Sequence, residues 1–272
     1  MEGVWISVGG TIMNFYRRVV STLLSSASLI LAVLSAASAA EIKVLSSGVM
    51  RSALEELRGD FERATGNKLT ISYATGSAVK ERILKGELAD LVIVPISAME
   101  DLQRQAKAEA DSLAVGGSLI AVSVRAGAPK PDITSVDSLK RSLLAARSIV
   151  YFDPASGATS GKHFAGVLER LGISEQMRPK TKLVKFPGPG PAEIVAKGEA
   201  ELGISQPAEI LRAPGAELVR PLPAELQNRR EFVYHAAVLV NAKEPAAAKA
   251  FIQFLVSPDA AMVIKKKGLE PG

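Results

Sequence analysis

Ile42-Lys-Val-Leu45, Leu69-Thr-Ile-Ser-Tyr73 and Leu91-Val-Ile-Val94 are three β-type runs, and what lies between them decides the fold. After Ser46-Ser47-Gly48, the apolar residues Val49, Met50, Ala53, Leu54, Leu57 and Phe61 recur at the spacing of one helix face. Gly66-Asn67 then supplies the residue types that end a helix. Thr75-Gly76-Ser77 opens a second helix carrying Val79, Ile83 and Leu84. The third run has no polar residue, as in a strand covered on both faces. Such β-α-β-α-β order builds a parallel sheet flanked by helices.

The pattern then restarts. Strands are expected over 118–124, 148–152, 183–184, 202–204 and 232–240. Helices are expected over 136–145, 160–171, 192–197, 246–256 and 258–266. This reads as two α/β lobes, with the last two helices packing back on the first. The Pro-Gly-Pro-Gly-Pro run from Pro187 to Pro191 is a rigid turn before a helix and is too short for a linker.

Upstream, Arg17 and Arg18 precede an apolar run over 19–34, and 35–40 hold only Ser and Ala. A positive segment, a short apolar core and an Ala-Ser-Ala type cut site make a secretory signal peptide. Processing is expected near Ala40 or Glu41, with Met13 as an alternative start. The run falls short of the roughly 20 apolar residues a spanning helix requires, so no stable membrane anchor is expected. With no cysteine, disulfides, lipid-modified cysteine and thiolate metal sites are excluded. The expected destination is the periplasm.

Hydrophobic residues make up 47% and charged residues 22%, ordinary for a globular α/β chain. Aromatics are 5%, which leaves base-stacking and carbohydrate platforms poorly supplied. The net charge of +5 becomes +4 without the leader, spread along the chain and not clustered as a nucleic-acid footprint.

Four segments set small or hydroxyl residues where a strand hands over to a helix: Ser46-Ser47-Gly48, Thr75-Gly76-Ser77, Ala158-Thr159-Ser160-Gly161 and Gly188-Pro189-Gly190. In a parallel sheet the carboxyl ends of the strands share one edge, where ligands bind in crevices. Helix N-termini there present unpaired N–H groups, suited to an anion. Ser, Thr and Gly are also ordinary helix caps, so convergence on one cleft separates the two readings. Arg51 is placed to pair with a ligand carboxylate.

Enzyme chemistry finds little support. Gly157 to Lys162 lacks the glycine spacing of a phosphate loop, and His163 stands where that motif needs Ser or Thr. His163 and His235 are the only histidines, and no Gly-x-Ser-x-Gly elbow occurs. Asp90 and Asp153 read as capping carboxylates. The chain is expected not to be an enzyme and to need no cofactor or metal.

The chain resembles the periplasmic molybdate-binding proteins, of the type II solute-binding superfamily that serves ABC transporters. The likeness rests on Val44-Leu-Ser-Ser-Gly48, Ala53-Leu54, Glu87-Leu-Ala-Asp-Leu-Val-Ile93, Gly117-Ser118-Leu119, Asp153-Pro154, Leu171-Gly172, Leu202-Gly-Ile204 and Ser257-Pro258. It implies a two-lobed fold of mixed, mostly parallel sheets flanked by helices, with two hinge crossings. The division expected is 1–40 signal peptide, 41–120 first lobe, 121–230 second lobe and 231–272 a return to the first. It further implies a monomer that captures a small anion and presents it to a permease. In that family two serines, backbone amides and a tyrosine hold the oxyanion. Here Val49 and Gly76 fall at the serine positions, Ser160 and Gly188 at amide positions, and Gln206 at the tyrosine. The expected ligand residues are Ser46, Ser47, Gly48, Val49, Met50, Arg51, Thr75, Gly76, Ser77, Ser160, Gly161, Gly188 and Gln206. With the side-chain donors altered, a small organic carboxylate competes with molybdate or tungstate as ligand.

Overall fold

The computed structural model describes residues 39–272, so the expected signal peptide lies outside the described residues apart from its end. In chain order the elements begin with β1 (Glu41–Ser47), α1 (Arg51–Thr65), β2 (Lys68–Ala74), α2 (Gly76–Leu84), β3 (Leu91–Pro95), α3 (Ile96–Arg104) and β4 (Leu113–Gly117). They continue with β5 (Ala121–Arg125), α4 (Val136–Ala145), β6 (Ile149–Phe152), α5 (Thr159–Arg170), α6 (Ser174–Met177), β7 (Thr181–Val184), α7 (Pro191–Ala196), β8 (Leu202–Ser205), α8 (Pro207–Leu211) and β9 (Ala216–Pro221). The last are β10 (Val233–Val238), α9 (Pro245–Leu255) and α10 (Pro258–Lys266).

Two five-stranded sheets result, ordered β2-β1-β3-β10-β4 and β7-β6-β8-β5-β9. Three parallel strands head each sheet, and antiparallel strands complete it. The two sheets therefore repeat one plan, and in each the parallel strands deliver their carboxyl ends to one edge. On the first sheet, Phe61 of α1 meets Phe251 of α9 with ring centroids 4.8 Å apart, while Val79, Ile83, Met99 and Leu102 cover the opposite face. The second sheet is covered mainly by α4 and α5, through Leu139, Leu143, Phe164 and Val167.

The local signals act as their chemistry dictates. Gly66 ends α1 in the left-handed region, its N–H donating to the Glu62 carbonyl at 2.9 Å. Thr75 caps α2 by accepting from the Ala78 N–H at 3.2 Å. Asp90 is a buried cap: it accepts from the backbone N–H groups of Lys43 (2.8 Å), Lys243 (2.7 Å) and Glu244 (3.0 Å), tying β1 to the segment that leads into α9.

One expectation is corrected. A single strand over 118–124 is replaced by β4 and β5, which belong to different sheets. At 118–120 the chain crosses between them, bonded to the returning chain: Ser118 N–H donates to the Phe232 carbonyl at 2.9 Å, and Ile120 N–H to Gln227 Oε1 at 3.0 Å. The pair Gly116-Gly117 hides the end of β4 because an apolar pattern cannot register residues without side chains. The helix α3 and the edge strand β9 were also not foreseen.

Glu62 gives a pH-dependent prediction. Its carboxylate accepts from the Leu69 N–H (3.0 Å), Arg58 (2.9 Å) and Lys68 (3.1 Å). The Leu69 N–H, followed by the two cations, holds its pKa down at about 2, against an ordinary 4.5. A depressed carboxyl stabilises the fold above its unfolded pKa, and this contribution fades as pH falls from 4.5 toward 2. Glu62→Gln should cost about 1–2 kcal/mol at pH 7, allowing for screening of the two exposed cations. Urea titrations of the two proteins should converge by pH 2; a gap that persists there contradicts the assignment.

Candidate anion cleft

A cavity of about 410 Å³, counting its open mouth, lies where the two sheets face each other. From the first sheet come Ser47 and Gly48 after β1, Ala74, Thr75 and Gly76 after β2, Pro95 at the end of β3, and Tyr234 of β10. From the second come Phe152 at the end of β6, Ala158, Thr159 and Ser160 leading into α5, Phe186 after β7, and Gln206 after β8. Three of the four handover segments thus share one cavity. The fourth, with Gly188 and Gly190, lines an adjoining cavity that shares Gly48, Phe152, Phe186 and Glu209 with the first.

The donors are largely neutral. The Ser47 hydroxyl is buried and finds no partner among the described residues. Helices α2 and α5 begin at the cavity, and the first N–H groups of a helix have no intrahelical acceptor. Gly76 lets α2 approach closely: a Cβ there would stand 2.7 Å from Pro95 Cδ and 3.5 Å from Ser47 Oγ. Gln206 is 5% exposed, and its Oε1 accepts from the Tyr234 hydroxyl at 2.8 Å. That bond orients the amide, and among the described residues neither Nε2 hydrogen has an acceptor. Burial, with the nearby Glu209 charge, raises the Tyr234 pKa, so its phenol remains a donor.

Two further contacts cross from one sheet's side to the other. Thr75 Oγ1 donates to the Ser156 carbonyl at 3.4 Å, and Arg212 Nη1 to the Gly48 carbonyl at 3.5 Å.

The structure separates the sequence-derived candidates. Ser47, Gly48, Val49, Thr75, Gly76, Ser160 and Gln206 line the main cavity. Met50 does not: it is fully buried in the core, its terminal methyl against Gly116. Ser46 is also fully buried, its hydroxyl donating to the Ser47 carbonyl at 3.2 Å, because alternate side chains of a strand face opposite ways. Gly161 packs α5 on β6, with a Cβ there falling 2.1 Å from the Phe152 carbonyl oxygen; its hydrogen is needed for packing. Arg51 and Gly188 line the adjoining cavity, and the Arg51 guanidinium sits 4.6 Å from the Tyr73 ring centre. Ser77 lines a third opening on the other side, with Lys162 and His163. His163 is held by the Leu226 carbonyl at 2.7 Å, and burial lowers its pKa.

Thr159, from one of the four handover segments, lines the cavity as well; Phe152, Phe186, Glu209 and Tyr234 also line it and were not anticipated. Glu209 caps α8, its Oε2 accepting from the Gln206 N–H at 3.1 Å. Burial raises its pKa, partly offset by that N–H and by Arg212. The sequence signal for it was Gln206-Pro-Ala-Glu209, a capping box with Pro at the first helical position. Among the described residues no group of three or more His, Asp or Glu is gathered as a metal site.

Paired mixed sheets with helix N-termini facing a cleft between them are the type II fold of periplasmic binding proteins. The chain belongs to the bacterial extracellular solute-binding protein family, which it matches over residues 42–270. It is 35% identical over 236 residues to the aconitate isomerase of Pseudomonas sp, covering 85% of this chain and 87% of that one. It is 26% identical over 231 residues to the molybdate-binding protein ModA of Escherichia coli (strain K12), covering 84% and 88%. The periplasmic molybdate-binding protein of Azotobacter vinelandii has the same fold, with a TM-score of 0.67, 22% identity and coverage of 85% of this chain and 99% of that structure.

Proposed function

We propose that the cleft captures a small organic polycarboxylate in the periplasm, as a monomeric receptor that delivers it to the permease of an ABC importer. Residues 41–120 with 231–272 act as one lobe and 121–230 as the other, closing about the two crossings. The carrying observation is the donor pattern. Buried Ser47, the Gln206 amide and two helix N-termini are neutral donors in the cavity, and the resemblance to the molybdate binders implies that Val49 and Gly76 fall where those proteins supply hydroxyls. Such donors suit ligand carboxylates spread over several atoms, and Phe152 and Phe186 offer apolar surface to a carbon skeleton. The likeness to an aconitate isomerase, named for a tricarboxylate, supports the same reading.

A molybdate-type oxyanion is the second reading, favoured by the molybdate-binding relatives. Thermal unfolding separates the two. With trans-aconitate or citrate at a hundred times Kd, binding adds about 2.7 kcal/mol. That corresponds to a rise of roughly 5–10 °C for a chain of this size. Molybdate, tungstate and sulfate should leave the midpoint unmoved. A shift with molybdate and none with the carboxylates reverses the assignment, and no shift with any anion at millimolar concentration defeats both readings.

A further inference from the structure

Glu209 is the single carboxylate among the described residues lining a cavity otherwise walled by neutral groups. Charge repulsion makes it a poor ornament for a site that collects polyanions. Its structural duty occupies only one oxygen: Oε2 accepts the Gln206 N–H at 3.1 Å, and Oε1 has no hydrogen bond among the described residues. The charged and titratable groups around it are Arg212 at the end of its own helix, Glu193 and Arg51 in the adjoining cavity, and Tyr234 across from it.

We propose that Glu209 is a catalytic residue that carries a proton between two carbons of a bound unsaturated polycarboxylate, so that the cleft isomerises its ligand as well as holding it. This rests on the polycarboxylate reading. In a propene tricarboxylate such as trans-aconitate, a CH2 lies next to a carboxylate and a double bond. Oε1 takes one proton from that CH2. The electron pair of the broken C–H bond forms the new double bond, and the old π pair collects on the far alkene carbon. The Glu209 carboxyl, whose proton exchanges with solvent between the two steps, then gives a proton to that carbon. One C–H bond breaks and one forms, the double bond moves by one position, and no oxidant, reductant or water is consumed. Charge released during the transfer spreads onto the ligand carboxylates, where Ser47 Oγ, Gln206 Nε2 and the N–H groups opening α2 and α5 stabilise it. A carboxyl made less acidic by burial is suited to accept and return a proton near neutrality.

The test uses the full mature chain with trans-aconitate in D2O, followed by proton NMR, with binding measured separately by calorimetry. Deuterium should enter the ligand and cis-aconitate should appear. Glu209→Gln, which keeps an oxygen for the Gln206 N–H, should slow both by about 100-fold or more. Binding without exchange by the unsubstituted chain overturns the role of Glu209 and leaves the polycarboxylate reading standing. Absence of binding overturns both. A folded Glu209→Gln protein that isomerises within tenfold of the original rate also overturns the proposal. Should that variant fail to fold, the pH dependence of the saturated rate decides: a fall in acid through one ionisation above the ordinary carboxylate range supports it, and a flat profile from about pH 4 to 8 sinks it.

Discussion

Gln206→Ala is expected to weaken binding of trans-aconitate by a hundredfold or more in isothermal titration calorimetry. Two losses combine. The Nε2 hydrogens no longer reach the anion, and a hydrogen bond to a charged group contributes about 1.5–3 kcal/mol. The Tyr234 hydroxyl, which donates to Gln206 Oε1 at 2.8 Å, is left buried without an acceptor. That second cost weakens binding to the extent that a bound ligand keeps water from the phenol. A combined loss of about 3 kcal/mol is somewhat more than a hundredfold in Kd. Gln206→Glu sharpens the test, since it preserves an acceptor for Tyr234 and adds a negative charge facing the ligand. It should bind no better than the alanine variant. Affinity within threefold of the original in both variants would remove Gln206 from the site.

Asp90→Ala should be the most damaging single change to stability. The side chain is 3% exposed and accepts from three backbone N–H groups, those of Lys43, Lys243 and Glu244. Water cannot easily replace it, and each unsatisfied buried donor costs about 1–3 kcal/mol. A loss of about 4 kcal/mol is expected, read as a lower urea midpoint at unchanged slope. Asp90→Asn retains one acceptor oxygen and should lose roughly half as much. A loss below about 1 kcal/mol for the alanine variant would mean that the loop before α9 re-pairs its amides with solvent. Asp90 lies far along the chain from two of its three partners, so the effect tests the return of the C-terminal segment to the first sheet.

Much of this architecture was legible in local chemistry. Thr75, Gly66 and Ser257 act where they stand, because a helix cap needs only residues within one turn. The stripe Ala53, Leu54, Leu57 and Phe61 identified α1 by spacing alone, and Leu91 to Val94 a strand covered on both faces. Met50 misled for the same reason: placed next to the handover it was grouped with the ligand residues, although its side chain turns into the core beside Gly116. The crossing at 118–120 was invisible because an apolar run looks the same whether it stays in one sheet or passes to another.

Helix starts, strand runs and the four small-residue handovers are therefore properties of the chain itself, since each depends on neighbours a few residues apart. The tertiary structure decided which handovers share a cavity. It also brought Tyr234 to Gln206 across 28 residues and set Glu209 among neutral donors, one of its oxygens unbonded among the described residues. The physical reason is that two sheets, joined by paired crossings, bring strand ends together according to sheet order, and sheet order is fixed by long-range packing of buried faces that no local pattern encodes.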